Sequence, residues 1–101
     1  MVDKKEKTWE YDCDLIFYGY RITKITITDH FQINHPELST DLIAKLANKL
    51  NGKEVELTDY PGSRKVFRWR TTHRGQSYRL IFWLKDNETN HLWIRNCYPI
   101  D

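Results

Sequence analysis

The sequence is poor in the residues that mark several common protein classes. Cysteine occurs only at Cys13 and Cys97, without a CxxC or Cys/His spacing, which excludes a disulfide framework and a cysteine-based metal site. No run approaches the roughly 20 apolar residues of a membrane span, and the N-terminus lacks the apolar stretch of a signal peptide. We therefore expect a cytoplasmic protein. Because GxSxG, P-loop and GxGxxG motifs are also missing, we expect no nucleotide or dinucleotide cofactor.

What is present indicates one folded domain with an uneven distribution of charge. The 101 residues are 40% apolar and 14% aromatic, too apolar for disorder and too few for two cores. We predict a single domain over 1–101, with the mostly charged residues 1–7 outside the fold. The net charge is only +2, but residues 64–79 contain no Asp or Glu. Their basic residues are Arg64, Lys65, Arg68, Arg70, Arg74 and Arg79.

One helix has complete start and stop signals. Ser39 can cap its first turn, and apolar residues then recur at three- and four-residue spacing from Leu42 to Leu50. Asn51-Gly52 supplies a left-handed end. Residues 29–35 fit a short helical turn, whose extension Pro36 limits.

The remaining patterns predict strands. Residues 15–18 and 22–28 fit either one bent strand or two paired strands, and residues 55–57 fit an edge strand. Runs 65–71, 78–85 and 91–98 are joined by short turn-like segments, which predicts an antiparallel meander. We therefore predict an α+β fold, in which an antiparallel sheet of about four to five strands packs against one main helix and a short helical turn.

Side chains alternate across a strand, so each run divides into two faces. In the last run Leu92, Ile94 and Tyr98 fall on the apolar side that would meet the helix. The other face collects arginines and aromatic residues: Arg68, Arg70, Arg79, Arg95, His91, Trp83 and Trp93.

Such a face is suited to single-stranded or partly opened RNA, because guanidinium groups hold phosphates and aromatic rings stack on bases. The candidate RNA-binding residues are Arg68, Arg70, Arg74, Trp83 and Trp93. An ordinary surface is the alternative, with arginine and tryptophan paired through cation–π contacts and the acids Glu54, Glu56 and Asp59 neutralising the charge.

Four histidines are candidates for proton transfer, because histidine titrates near neutral pH. They are His30, His35, His73 and His91. The first two lie five residues apart without supporting cysteines or carboxylates, and we predict no metal site.

The order of these segments resembles that of the RelE/ParE-like toxin superfamily and, more broadly, the barnase, EndoU, colicin E5/D and RelE-type ribonuclease fold. The resemblance covers about residues 22–100. The segments that carry it are Ile27-Thr28-Asp29-His30, the helix from Leu42 to Leu50, Val66-Phe67-Arg68, Tyr78-Arg79-Leu80-Ile81-Phe82 and Leu92-Trp93-Ile94-Arg95-Asn96-Cys97-Tyr98-Pro99.

This resemblance implies metal-free RNA cleavage on the concave sheet face, by a small endoribonuclease of the toxin type. Arg79 matches a central-strand arginine, Arg95 or Tyr98 matches the active groups of the last strand, and His30 matches a histidine near the first helix. The candidate catalytic residues are therefore Arg79, Arg95, Tyr98 and His30, together with His91 from the predicted arginine-rich face. The implied partners are RNA, free or on the ribosome, and an antitoxin protein. A non-catalytic RNA-binding or protein-interaction module anchored by Trp83 and Trp93 is the alternative.

Overall fold

The computed structural model describes residues 7–53, 55, 57–58, 66–84 and 90–100. They form a mixed α+β fold in which five long strands and one two-residue strand build a single sheet. The order across the sheet is β1-β2-β6-β5-β4-β3. The strands are β1 (Thr8–Phe17), β2 (Tyr20–Thr28), β3 (Leu57–Thr58), β4 (Val66–His73), β5 (Gln76–Leu84) and β6 (His91–Ile100), and the helices are α1 (His30–Asn34) and α2 (Thr40–Asn48).

The N-terminal strand pair is a hairpin, which resolves the two alternatives for residues 15–28 in favour of two paired strands. Tyr18 and Gly19 form its turn, with φ values of 53° and 79°. Two consecutive left-handed residues twist a hairpin in the sense that its strands require. The strand β1 begins at Thr8, seven residues earlier than predicted.

The helix predicted after residue 38 is confirmed as α2. The backbone N–H of Leu42 donates to Ser39 Oγ at 3.1 Å, the capping bond expected from the sequence. Gly52 has a φ of 77°, which is the left-handed conformation that favours glycine after a helix. The helical turn within 29–35 is α1, a helix of five residues.

The C-terminal meander β4-β5-β6 is confirmed as antiparallel, but the prediction of a purely antiparallel sheet is wrong. β2 pairs with β6 in parallel, with Ile25 opposite Leu92 and Ile27 opposite Ile94. Both helices, β3, β4 and β5 lie between β2 and β6 along the chain. A connection of this length allows β6 to run beside β2 in the same direction, which a short turn would not. No pattern within either strand specifies that pairing.

The core lies between α2 and one face of the sheet. Ile43, Leu46 and Ala47 from α2 are fully buried. They pack in one cluster with residues from β1, β2, β4, β5 and β6, namely Leu15, Phe17, Ile22, Ile25, Ile27, Phe67, Leu80, Phe82, Leu92, Ile94 and Cys97. We call the opposite side of the sheet the open face.

Both cysteines pack as ordinary thiols. Burial raises the pKa of Cys97 to about 12. Burial, together with the charges of Asp14 and Asp12, raises that of Cys13 to about 11. The edge strand expected at 55–57 is observed as β3 at 57–58, whereas residues 1–6 and the turn at 59–62 lie outside the described residues.

Replacing Ser39 with alanine should lower the free energy of unfolding by about 1 kcal/mol, because the Leu42 N–H loses its acceptor. Urea denaturation followed by circular dichroism measures the change. Ser39→Asp is the matched control, since aspartate retains an oxygen acceptor and adds a favourable charge at the helix N-terminus. Equal losses in both variants would contradict the capping role.

Candidate nucleic-acid interface

An irregularity in β6 determines which of its side chains reach the open face. Phe82 pairs with Ile94, but the preceding residue Ile81 pairs with Asn96, so Arg95 is an extra residue in β6. Such a bulge reverses the alternation of the strand beyond it. The sequence-based assignment of the end of β6 is therefore wrong, because Cys97 is buried in the core and Tyr98, opposite Arg79, lies on the open face.

In β4 and β5 the alternation is regular, and the predicted division into faces is confirmed. Phe67, Leu80 and Phe82 are buried in the core, whereas Arg68 lies opposite Ile81 and Arg70 opposite Arg79 on the open face. The described residues of β4 to β6 include no Asp or Glu. Their five arginines are Arg68, Arg70, Arg74, Arg79 and Arg95, of which Arg74 lies in the β4–β5 turn.

Tyr98 and two arginines form the centre of the open face. The guanidinium groups of Arg79 and Arg68 lie near the Tyr98 hydroxyl. Burial alone would raise the pKa of Tyr98, but hydrogen bonding to these two groups and their positive charges outweigh it, so that the pKa lies below its ordinary value. The hydroxyl is therefore more acidic than that of an exposed tyrosine. We call Arg68, Arg79 and Tyr98 the anion cluster, because two guanidinium groups and a phenol are side chains that can bind an anion together.

His35 lies against this cluster. Its ring stacks with that of Tyr98 at a centroid distance of 6.5 Å and an interplanar angle of 21°. Its Nδ1 lies 3.3 Å from the Glu37 carboxylate, and the side chain is 32% exposed. Because Glu37 engages Nδ1, Nε2 is the ring nitrogen that can exchange a proton with another molecule.

The helix α1 aligns two histidines with β6. It contacts β6 directly, with His30 as its first residue and His35 just after its end. Five helical residues rise about 7.5 Å, and the step from Asn96 to Tyr98 along β6 is about 7 Å. His30 therefore lies beside Asn96 while His35 lies beside Tyr98.

A cleft of about 370 Å³ lies on the open face next to the anion cluster. Val66, Ile81 and Trp83 form its apolar part. The other lining residues are His30, Arg95 and Asn96. Ile81 and Asn96 face each other two positions from the Arg79–Tyr98 pair, which places the cleft about 7 Å from that pair.

The remaining candidates are not part of the anion cluster. Trp83 and Trp93 are opposite each other and half-buried, and Arg70 donates to Ser77 Oγ at 3.2 Å. His91 is only 6% exposed, with its Nε2 2.6 Å from Thr26 Oγ1. His73, at the far end of β4, lies near Lys45 and Lys49. The structure thus brings together Arg79, Tyr98 and Arg68 at one point and His30 and Arg95 at the neighbouring cleft.

The sequence pattern includes His35 among four candidate histidines but does not place it among the candidate catalytic residues, because no local feature distinguishes it from the others. Its position follows from α1, which ends beside the bulged half of β6. The described residues contain no group of three or more His, Cys, Asp or Glu side chains that could hold a metal ion.

Comparison of the chain with models of known protein families, with curated proteins and with solved structures found no match. Within the ranges that the structure describes, neither helix has the length and apolar character needed to cross a membrane.

The tyrosines should ionise unequally. We expect the earliest tyrosinate absorbance in a spectrophotometric pH titration to belong to Tyr98, at a pH below the ordinary tyrosine pKa of about 10. It should disappear in Tyr98→Phe and move to higher pH in Arg79→Gln, because one positive charge is removed. Tyr11→Phe is the control, since burial and Asp41 raise the pKa of Tyr11. An early phase that survives Tyr98→Phe would contradict the assignment.

Proposed function

We propose that the protein is a metal-independent endoribonuclease of the toxin type, which cleaves single-stranded or partly opened RNA on the open face. The observation that carries this proposal is the position of the Tyr98 hydroxyl near Arg79 and Arg68 and beside the stacked His35. It combines two fixed positive charges with two groups able to transfer protons.

The arginines supply the binding part of the reaction. A phosphodiester bound at Arg68 and Arg79 would receive charge-assisted hydrogen bonds from two guanidinium groups. The same bonds strengthen as negative charge accumulates on the phosphorane, which is how fixed donors lower an activation barrier. No carboxylate from the described parts of β4 to β6 competes for them.

The proton transfers can be divided between His35 and Tyr98. His35 Nε2, with Nδ1 held by Glu37, removes the proton of the ribose 2′-hydroxyl, and the 2′-oxygen attacks phosphorus. The bond from phosphorus to the 5′-oxygen breaks, and Tyr98 protonates that oxygen. The products are a 2′,3′-cyclic phosphate and a 5′-hydroxyl end, and proton exchange with water restores both side chains.

The other selected residues have supporting roles in this scheme. Arg95 and His30 line the adjacent cleft, where they would contact the nucleotide and not the scissile phosphate. His91 is buried against Thr26, and we assign it to the support of β6 and not to proton transfer. The arginine-rich face would also attract an acidic protein segment, so an antitoxin that covers the anion cluster is the partner we propose.

Purified protein should cleave RNA in EDTA, and Tyr98→Phe should lower the rate by about 100-fold or more, the usual contribution of a general acid. Both total RNA and RNA on translating ribosomes serve as substrates, because recognition can depend on the ribosome. Tyr20→Phe is the matched control, since Tyr20 is exposed beside the hairpin turn, away from β6.

Cleavage that requires a divalent metal, or that is equal in Tyr98→Phe and Tyr20→Phe, would contradict the proposal. Salt-sensitive RNA binding without cleavage of either substrate would instead favour the non-catalytic module.

The rate should fall at alkaline pH, because Tyr98 must be protonated to act as an acid. Since its pKa is lowered, the fall should begin below the pH at which an ordinary tyrosine ionises. Arg79→Gln should slow the reaction and move this limb to higher pH. The measurement uses a short DNA oligonucleotide with one ribonucleotide, which limits background alkaline cleavage. An alkaline limb that Arg79→Gln leaves in place would refute the role of Tyr98 as the acid.

A further inference from the structure

We propose that the cleft beside the anion cluster binds the base of a nucleotide next to the bound phosphate and selects a 6-keto purine, guanine or inosine, over adenine. This inference rests on the RNA-binding part of the proposed function and names the base that the face reads.

The shape of the cleft suits a flat aromatic ring system. Its volume of about 370 Å³ lies within the range of roughly 300 to 1,000 Å³ that small-molecule sites occupy. Trp83 contributes an aromatic ring, the kind of side chain on which bases stack, and Ile81 and Val66 add apolar surface. Because the cleft lies about 7 Å along the strands from the Arg79–Tyr98 pair, one or two adjoining nucleotides can reach both places.

The polar groups of the cleft are mainly hydrogen-bond donors. The backbone N–H of Cys97 donates to Asn96 Oδ1 at 2.9 Å, which fixes the orientation of the amide and leaves its NH₂ group as the part that can contact a ligand. The Arg95 guanidinium can only donate, and no carboxylate is among the described lining residues.

A site rich in hydrogen-bond donors distinguishes purines by the group at C6, which is a keto acceptor in guanine and an amino donor in adenine. Guanine and inosine present the adjacent acceptors O6 and N7, whereas adenine places an amino donor beside N7. Against Asn96 and Arg95 the keto purine would gain hydrogen bonds, and the amino group of adenine would meet other donors.

The test measures binding of wild-type protein to 2′-O-methyl RNA pentamers, which lack the 2′-hydroxyl needed for cleavage. Four adenosines flank a central guanosine, inosine, adenosine, 7-deazaguanosine or 2-aminopurine nucleotide, and fluorescence anisotropy gives each Kd. Guanosine and inosine should bind at least about fivefold more tightly than adenosine. The 7-deazaguanosine and 2-aminopurine pentamers should lose that advantage, because they lack N7 and O6 respectively.

Asn96→Asp tests the donor directly. Aspartate can still accept from Cys97 N–H, but it replaces the amide donors with an acceptor, so the ratio of guanosine to adenosine affinity should fall below one. The ratio is compared because the added negative charge weakens binding of every RNA. Lys45→Ala, exposed on α2 across the core, should leave the ratio unchanged.

Equal affinity for the guanosine and adenosine pentamers, an unchanged ratio in Asn96→Asp, or no binding of any pentamer would overturn the inference. Its failure is distinguishable from that of the proposed function. Selective binding by a protein that cleaves no RNA would refute the nuclease alone, and cleavage by a protein without base preference would refute the cleft assignment alone.

Discussion

The extra residue in β6 is the constraint on which the candidate site depends. With a regular alternation after Ile94, Tyr98 would enter the core and Cys97 would face outward. The bulge at Arg95 exchanges them, so that the small, apolar thiol fills the core and the phenol reaches Arg79 on the neighbouring strand. The same local distortion places Arg95 at the cleft.

The parallel pairing of β2 and β6 supplies the second part of the site. β2 ends at Thr28, whose hydroxyl donates to the Arg95 carbonyl at 2.9 Å, and α1 then continues beside the rest of β6. This arrangement brings His30 beside Asn96 and His35 beside Tyr98, although each pair is more than 60 positions apart in the sequence. His91 differs from these two histidines, because it is buried and its hydrogen bond to Thr26 joins β6 to β2.

Much of the fold could be predicted because its signals are local. Ser39 and the apolar spacing of α2 identify that helix, and the uninterrupted alternation of β5 correctly assigns Arg79 to the open face. The start of β1 also had a local signal, since Trp9, Tyr11 and Cys13 alternate with Glu10, Asp12 and Asp14. The parallel pairing had none, because it depends on the packing of distant segments.

The site was only partly predictable for the same reason. The consecutive polar pair Arg95-Asn96, between Ile94 and Cys97, is where the apolar alternation of β6 changes phase, and it is the one readable trace of the bulge. Selecting His35 required the position of α1, which the sequence does not specify.

The most direct test of the account is the location of the RNA contact. An NMR titration of isotope-labelled protein with an uncleavable 2′-O-methyl oligonucleotide would report it residue by residue. We expect shifts of the Arg68 and Arg79 side-chain signals and of backbone amides at 94–98, with little change along α2. Shifts centred on α2 or on β1, with the Arg68, Arg79 and Tyr98 signals unmoved, would contradict the assignment of the open face.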